Sequence, residues 1–177
     1  MAWATALVGV ASVTAAAAII SVKPRDPSFE LISITLNSLK LSLPVVDVEL
    51  ILTVQVTNPN VVPIQYSSTE LSIFYDGSLL GTAHIDAGSQ PAKSTRLLQL
   101  PARLSGIELA QHAAKFVGDL RRREMVLDAA VDMKGTAKVL WWDHKFKVHM
   151  DSHVVVDPVS LDVVDQENNA EMELFVT

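Results

Sequence analysis

The chain has 177 residues, a formal net charge of −6 at pH 7 and no cysteine. The lack of cysteine excludes disulfides, thiolate metal sites and a cysteine nucleophile. Six acidic residues and no lysine or arginine lie in 157–177, so the first 156 residues are neutral overall. A neutral body offers no basic patch to neutralise phosphates, and no nucleic acid is expected as a partner.

Residues 1–22 carry no charged side chain. As a helix, 21 residues would reach about 31 Å, close to the thickness of the hydrocarbon core of a bilayer. We therefore predict a transmembrane anchor or signal segment at 1–22, and the length favours a permanent anchor in the plasma membrane or an endomembrane. A signal peptide cleaved near Ala15-Ala16-Ala17 and a docked alanine-rich helix are the alternatives. Lys23 and Arg25 favour a cytosolic domain, but two residues leave the side of the membrane open.

Pro24 and Pro27 predict an extended linker at 23–28, followed by a β-domain at 29–158. Apolar residues alternate with polar ones from Ile32 onward, and the phase flips after Asn37-Ser38, which predicts a bulge. Alternation at even positions from Val46 to Val56 predicts a half-buried antiparallel strand. Further predicted strands cover 71–75, 79–85, 95–100, 125–133, 136–142 and 145–156.

Turn residues separate these predicted strands. Asn58-Pro59-Asn60 ends one of them, because proline cannot donate to a ladder. Asp76-Gly77 predicts a tight hairpin that needs positive φ at both residues, and Lys134-Gly135 predicts another turn.

One helix interrupts the strands. Ser105 and Glu108 have the spacing of a capping box. Apolar residues then repeat at helical spacing at Ile107, Ala110, Ala114, Val117 and Leu120. We therefore predict an all-β fold: an immunoglobulin- or fibronectin III-like antiparallel β-sandwich with one α-helix, preceded by an N-terminal transmembrane helix. The acidic tail at 159–177 is predicted to be solubilising and partly disordered.

Three groups of residues are candidate sites, and each has a simpler structural interpretation. His149, Asp151 and His153 share one face of a strand, but the two histidines would lie roughly 13 Å apart, too far for one zinc ion. A solvated polar face is favoured. Arg121 to Arg123 fit either a helix C-terminus or anionic lipid. Trp141-Trp142 place one indole on each side of a strand, so we expect one in the core and the other to be a candidate for a binding or membrane-facing surface.

No hydrolase, nucleotide or metalloprotease motif occurs. We therefore predict no enzyme activity, no catalytic, cofactor-binding or metal-binding residues, and no cofactor.

The strand that ends in Asn58-Pro59-Asn60, followed by Ile64 and Tyr66 and then by Tyr75-Asp76-Gly77 and Leu80-Gly81, resembles the late embryogenesis abundant group 2 domain. This domain is also called the water-stress and hypersensitive-response domain and occurs in harpin-induced-like plant proteins. The resemblance covers about 28–158. It implies a compact sandwich with one helix, no catalytic residues, and a role in desiccation or pathogen defence.

Two functions stay open. The first is a membrane-anchored stress-response protein whose domain protects or contacts other proteins. The second is a lipid-binding or lipid-transfer module at a membrane, with an apolar groove open towards the bilayer. A continuous apolar cleft would favour the second function over the first.

Overall fold

A computed structural model describes residues 25–42, 45–139 and 142–175 of the chain. The predicted anchor at 1–22 and the first two residues of the predicted linker lie outside these ranges. The predicted placement of the Trp141 and Trp142 side chains also lies outside the described part. In the ranges that are described, no helix is both long enough and apolar enough to cross a membrane.

Ten strands and two short helices make up the described residues. They are β1 (Ser28–Ser42), β2 (Val45–Asn58), β3 (Ile64–Tyr66), β4 (Thr69–Tyr75), β5 (Ser78–Ile85), β6 (Gly88–Gln90), β7 (Ser94–Ser105), α1 (Gly106–Gln111), α2 (Ala113–Arg122), β8 (Met125–Val139), β9 (Trp142–Val156) and β10 (Val163–Phe175).

All ten strands belong to one antiparallel sheet that curls on itself. Its order is β1-β2-β7-β5-β4-β8-β9-β10. The short strands β3 and β6 are added beside the second half of β8. The curl brings the two outermost strands, β1 and β10, into contact. The all-β class is thus confirmed, while the immunoglobulin-like sandwich stays a prediction.

The core lies inside the curl of the sheet. Side chains alternate between the two faces of each strand, and the apolar ones point into the curl. Leu50, Leu52 and Val54 of β2 are buried, and so are Phe146 and Val148 of β9. Each fully buried side chain of this kind contributes roughly 1.5–3 kcal/mol. Strand alternation therefore builds a curled wall that is apolar inside and polar outside.

Two predicted local features are confirmed. The pairing of β1 with β2 shifts register between Leu36 and Ser38, where the phase flip predicts a bulge. Tyr75 pairs with Ser78, and Asp76 and Gly77 between them have φ values of 49° and 78°. These positive φ values are what a type I′ hairpin turn requires.

The predicted single helix is wrong in three respects. Two helices form, and they are separated at His112. Ser105 is the N-cap residue of α1, but its side chain makes no capping hydrogen bond. Ile107 and Val117 of the predicted apolar stripe are 48% and 46% exposed, while Leu109 and Phe116 pack on the core. The break at His112 changes the phase of α2, so the stripe of one continuous helix does not form.

The predicted turn at Lys134-Gly135 is also wrong, because β8 runs straight through it. Gly135 pairs with Tyr66 of β3 on one side and with Phe146 of β9 on the other. A Cβ atom at this position would lie 2.2 Å from the Gln65 carbonyl oxygen. Glycine is needed here for the close approach of β3 rather than for a turn.

The prediction of a partly disordered acidic tail is wrong for residues 163–175, which form β10. This strand pairs with β9 along its whole length. Glu167, Glu171 and Glu173 point outward and are exposed. They lie opposite His153, His149 and Lys147. Opposite charges across neighbouring strands contribute roughly 0.2–1 kcal/mol for each pair, so the acidic segment complements the basic face of β9.

Candidate functional site

The interior of the curled sheet holds an apolar cavity of about 130 Å³. Inward side chains of β1, β2, β4, β7, β8 and β9 form most of its wall. An apolar cavity of roughly 150 Å³ stays dry and accepts a molecule of the size of benzene. The cavity can therefore hold a short length of hydrocarbon. Lining residues include Phe29, Leu31, Leu52, Val131, Phe146 and Met150.

Few polar groups reach this cavity, and two of them are already bound to other groups. Gln90 is 2% exposed, and its Nε2 donates to the carbonyl oxygens of Val56 and Ser94 at 3.0 and 2.9 Å. Ser152 donates from Oγ to Oδ1 of Asn168 at 2.5 Å. Because both side chains have partners, the wall offers little to a polar ligand and suits an apolar one.

A seam closes the wall where β1 meets β10, and side chains hold it together. The Leu31 N–H donates to Gln166 Oε1 at 2.9 Å, and Gln166 Nε2 donates to the Leu31 carbonyl oxygen at 3.0 Å. The Met172 N–H donates to Asp26 Oδ1 at 3.0 Å. In the part of the chain that the structure describes, no backbone ladder joins β1 to β10. The Gln166 amide bonds to both backbone groups of Leu31, as the backbone of a neighbouring strand would.

The Gln166 amide is itself held by a short network. Asn168 Nδ2 donates to Gln166 Oε1 at 3.0 Å, and Asn168 accepts the Ser152 hydroxyl. The network therefore links Gln166 at the seam to Ser152, which lines the cavity.

A second apolar feature, the end groove, lies where residue 25 enters the domain. It has a volume of about 200 Å³. Val61 and Leu174 in its wall are each 43% exposed. Ile64 and Phe146 line both the end groove and the interior cavity, so the two are neighbours. The other lining residues are Asn60, Val62, Ala137, Val139, His144 and Met172.

The Asn58-Pro59-Asn60 segment fixes this end of the domain. Asn58 is fully buried, and its Nδ2 donates to the carbonyl oxygens of Val62 and Pro91 at 3.1 and 3.0 Å. Its Oδ1 accepts the Asn60 N–H at 3.0 Å. The Asn60 side chain then pairs with the backbone of Arg25, accepting its N–H at 2.7 Å and donating to its carbonyl oxygen at 2.9 Å. The segment acts as a clamp on the incoming chain.

A buried charge cluster joins α2 to the β4–β5 hairpin. Asp119 is 2% exposed, and its Oδ2 accepts the Tyr75 hydroxyl at 2.5 Å and Lys115 Nζ at 3.1 Å. Arg122 donates to its other oxygen at 2.5 Å. The Lys115 ammonium also lies 4.5 Å from the centre of the Tyr75 ring. The carboxylate is fully engaged with donors, which makes this cluster a structural anchor for the helix.

Burial alone would raise the pKa of Asp119. The hydrogen bonds from Tyr75 and Lys115 and the charges of Lys115 and Arg122 outweigh burial and lower this pKa below 3.8. Burial, followed by the hydrogen bond to Asp119, raises the pKa of Tyr75 above its ordinary value. Asp119 is therefore ionised and Tyr75 neutral at pH 7, so that the pair holds one negative charge between its donors.

Two histidines of β9, His149 and His153, face outward beside carboxylates of β8. His149 Nδ1 lies 2.8 Å from Asp132 Oδ1, and His149 Nε2 lies 3.1 Å from Asp151 Oδ2. His153 Nδ1 lies 2.6 Å from Asp128 Oδ1. Within the described ranges, no three potential ligand side chains converge as a metal site would require. The two histidines therefore contact separate carboxylates on the polar face rather than a common one.

The remaining candidate side chains are dispersed. Arg122 binds Asp119, and Arg123 Nη2 lies 2.9 Å from Asp157 Oδ2. His112 lies between Asp76 and Ser78, and His84 pairs with Asp86 on the surface. His144 lines the end groove. The structure thus does not bring the five histidines or the three arginines into one site.

Sequence reasoning missed Asp119 and Gln166. A single aspartate in a helix is typical of a solvent-exposed position, so Asp119 did not stand out in the sequence. The spacing that could have identified it is that of Lys115 four residues before it and Arg122 three residues after it, which allows both to pair with its carboxylate. Gln166 lies in an acidic segment, and its partner Leu31 is 135 residues away in the chain. No local pattern identifies a pairing of that kind.

The described residues form an all-β domain in which an antiparallel sheet curls around an apolar cavity. The family model described as "Late embryogenesis abundant protein" matches residues 53–154, which is more than half of the 177 residues. The chain belongs to this family. The matched region includes Asn58 to Asn60, Asp76-Gly77 and the buried Asp119.

Several solved structures are similar to the chain at low identity. A protein from Archaeoglobus fulgidus is 16% identical, with 84% of this chain and 98% of that chain covered and a TM-score of 0.40. A protein from Arabidopsis thaliana is 17% identical, with 86% and 82% covered and a TM-score of 0.42. A third structure, described as a late embryogenesis abundant (LEA) protein, is 15% identical, with 84% and 71% covered and a TM-score of 0.31.

These TM-scores are below 0.5, so the family assignment rests on the family model. No curated protein matches the chain. Family membership confirms the resemblance that the sequence motifs indicate, and it supports a stress-related, non-enzymatic role.

Proposed function

We propose that the chain is a membrane-anchored, non-enzymatic stress-response protein whose domain binds the hydrocarbon chain of a lipid. The observation that carries this proposal is the apolar cavity of about 130 Å³ inside the curled sheet. A closed and fully packed core would instead favour a domain that acts only by contacting other proteins. The cavity thus supports the lipid-binding function over the protein-contacting one.

The energetics of hydrocarbon transfer fit such a module. Moving a methylene group from water into an apolar site contributes about 0.8 kcal/mol, so the cavity retains a short length of acyl chain against water. Moving the same group from a bilayer changes the free energy little, because both environments are apolar. Lipid can therefore exchange between a membrane and the cavity with little change in free energy.

The stress context is proposed from the family. Desiccation and pathogen defence are the settings that the family resemblance implies. Residues 1–22 are proposed to anchor the domain in the plasma membrane or an endomembrane, because this uncharged stretch is long enough to span a bilayer. The tightly engaged Asp119 carboxylate supports the non-enzymatic assignment, since it is already bound by three donors.

Photo-cross-linking of the full chain tests lipid binding. The chain is reconstituted in phosphatidylcholine vesicles that contain a lipid with a photoactivatable group in its acyl chain. After irradiation, mass spectrometry locates the adducts. We expect adducts on inward residues of β1, β8 and β9, in addition to those in 1–22. Adducts confined to 1–22 would contradict the proposal.

Two matched variants control this experiment. Val131→Phe places a larger side chain in the cavity wall, and we expect it to reduce the adducts in the domain by at least about fivefold. Val164→Phe makes the same change at a side chain that is 62% exposed and outside the cavity, and adducts should remain at the wild-type level. Equal labelling of the two variants would locate the lipid elsewhere.

Anchoring is tested separately. Full-length chain in sealed vesicles is extracted with alkaline carbonate and is digested with protease from outside. We expect it to stay in the membrane pellet, and the protected fragments then report the side of the domain. Release into the carbonate supernatant would rule out a permanent anchor without bearing on lipid binding by the domain.

A further inference from the structure

We infer that lipid enters the cavity through the end groove, at the end of the domain that faces the bilayer. This inference rests on the proposed function, because it assigns a route and an orientation to the same apolar interior. It commits to one occupant of the end groove, the acyl chain of a membrane lipid. Three observations carry it: the position of the clamp, the shared lining, and the exposure of the end groove.

The clamp places the end groove beside the proposed anchor. Asn60 lines the end groove and pairs with the backbone of Arg25 through two hydrogen bonds. Residues 22 and 25 are three residues apart, so their Cα atoms are at most about 11 Å apart whatever the conformation of the link. The interfacial layer of a bilayer is roughly 6–8 Å thick on each side. A domain clamped in this way has its end groove within reach of the acyl chains.

The end groove also adjoins the cavity. Ile64 and Phe146 line both of them, so their side chains form a shared wall between the two spaces. Phe146 comes from β9, and Ile64 is the first residue of β3. A chain that slides along these two residues meets apolar surface from the bilayer to the interior.

The exposure of apolar residues supports the same orientation. Val61 and Leu174 of the end groove are each 43% exposed, and Phe175 beside Leu174 is 48% exposed. The hairpin that joins β9 to β10 lies at the opposite end of β9, 10 steps along the strand from Phe146 of the end groove and roughly 33 Å away. Val159 in that hairpin is 60% exposed and serves as a distant control.

The cysteine-free chain allows a direct test of orientation. Single-cysteine variants Val61→Cys, Leu174→Cys and Val159→Cys of the full chain carry an environment-sensitive fluorophore. They are reconstituted in vesicles that contain nitroxide-labelled phosphatidylcholine as a quencher. We expect at least twofold quenching at Val61→Cys and Leu174→Cys, and little quenching at Val159→Cys. Equal quenching at the two ends, or quenching only at Val159→Cys, would overturn the inference.

A second variant pair tests the route itself. Val61→Asp introduces a carboxylate at the end groove but leaves the cavity lining unchanged. We expect this variant to slow the appearance of photo-adducts in the cavity by about tenfold, while Val159→Asp has no effect. Wild-type rates in Val61→Asp would place the entrance elsewhere, such as at the seam between β1 and β10.

The outcomes separate this inference from the proposed function. Cavity adducts without quenching at Val61→Cys would uphold lipid binding and reject the end groove as its entrance. The absence of cavity adducts in the wild type would reject the proposed function itself. A fluorophore that is shielded at Val61→Cys but not quenched by labelled lipid would show that residues 1–22 cover the end groove instead of lipid, which also overturns the inference.

Discussion

Asp119 is the residue whose chemistry depends most on the fold. It is a carboxylate that is 2% exposed, bound by a phenol, an ammonium and a guanidinium. Removing it leaves the Tyr75 hydroxyl buried without its partner, while Lys115 and Arg122 can turn to water because their side chains are 39% and 64% exposed. The loss of stability on substituting Asp119 should therefore come mainly from the unpaired Tyr75 hydroxyl and from the lost contact between α2 and the β4–β5 hairpin.

Asp119→Ala should lower the free energy of unfolding by about 2–3 kcal/mol, because it breaks a buried charge-assisted network. Tyr75→Phe should cost about 1–2 kcal/mol. Since both variants remove the same hydrogen bond, the double variant should be less destabilised than the sum of the two by roughly 1 kcal/mol or more. Urea unfolding measures all four proteins, and additive costs would show that the pair is uncoupled.

A matched surface variant controls for the loss of any aspartate. Asp128→Ala removes a carboxylate that is 57% exposed and pairs with His153. Exposed ion pairs contribute about 0–1 kcal/mol, so this variant should remain close to the wild type.

The same carboxylate sets a pH dependence. The pKa of Asp119 lies below 3.8 in the folded state, while an unfolded aspartate has a pKa of about 3.9. Its contribution to stability is therefore fully present above the unfolded pKa and is lost as the pH falls through the folded pKa. The stability difference between wild type and Asp119→Asn should be constant above about pH 5 and should shrink below about pH 4. A difference that stays constant down to about pH 2 would contradict this assignment.

His149 should show the opposite sign. Its hydrogen bond to Asp132 raises its pKa above 6.5, against a smaller opposing effect of burial, and the charges of Asp151 and Asp132 add to the increase. Its contribution to stability is present below about pH 6.5 and is lost as the pH rises through the folded pKa. An NMR titration should give His149 a pKa above 6.5. Asp132→Asn should lower this pKa, whereas Asp128→Asn should leave it unchanged.

At the scale of elements, the seam between β1 and β10 is closed by one glutamine amide and one aspartate. Gln166→Leu keeps the size of the side chain but removes both hydrogen bonds to the Leu31 backbone. We expect a loss of about 1–2 kcal/mol in the free energy of unfolding and faster hydrogen exchange at Leu31. Glu167→Leu, at the exposed neighbouring position, should leave exchange at Leu31 unchanged and should change the free energy of unfolding by less than about 1 kcal/mol. Unchanged exchange at Leu31 in Gln166→Leu would show that the seam is held by packing alone.

Strands with one apolar and one polar face could be predicted from the sequence. The even positions of β2 from Leu50 to Val54 alternate cleanly, and the structure buries them. The hairpin at Asp76-Gly77 was equally clear, because Asp-Gly between two apolar runs is one of the residue pairs that a type I′ turn, with positive φ at both positions, prefers. Local pattern is sufficient where the two faces of a strand meet different environments.

β10 was harder to predict, because two of its inward positions, Gln166 and Asn168, are polar and are used by the seam. Apolar alternation is confined to the short stretch in which Ala170 and Met172 pack on the core beside exposed glutamates. The density of acidic residues along the segment leads to the prediction of a solvated tail. An apolar groove was one of two open alternatives, but the residues of the cavity and the end groove could not be named from the sequence. The space between the walls depends on how the sheet curls and not on any one strand.

At the scale of the whole molecule, the cavity makes the core unevenly packed. Val131 lines the cavity, whereas Val156 is buried elsewhere in the core. Val131→Phe should therefore change the free energy of unfolding by less than about 1 kcal/mol. Val156→Phe should cost about 1–3 kcal/mol, because overpacking forces neighbouring atoms apart. Chemical denaturation compares the two, and equal costs would indicate that no empty space lies beside Val131.

The contact between β1 and β10 also affects the tendency of the protein to aggregate when a cell loses water. Water loss concentrates proteins, and exposed strand edges then act as templates for intermolecular β-pairing and aggregation. Here the two longest outer strands cover each other, and β6, beside β3, has only three residues. The carboxylates of β10 add mutual repulsion between copies of the chain. The closure that shapes the interior therefore also equips the protein to remain dispersed at the high concentrations that dehydration creates.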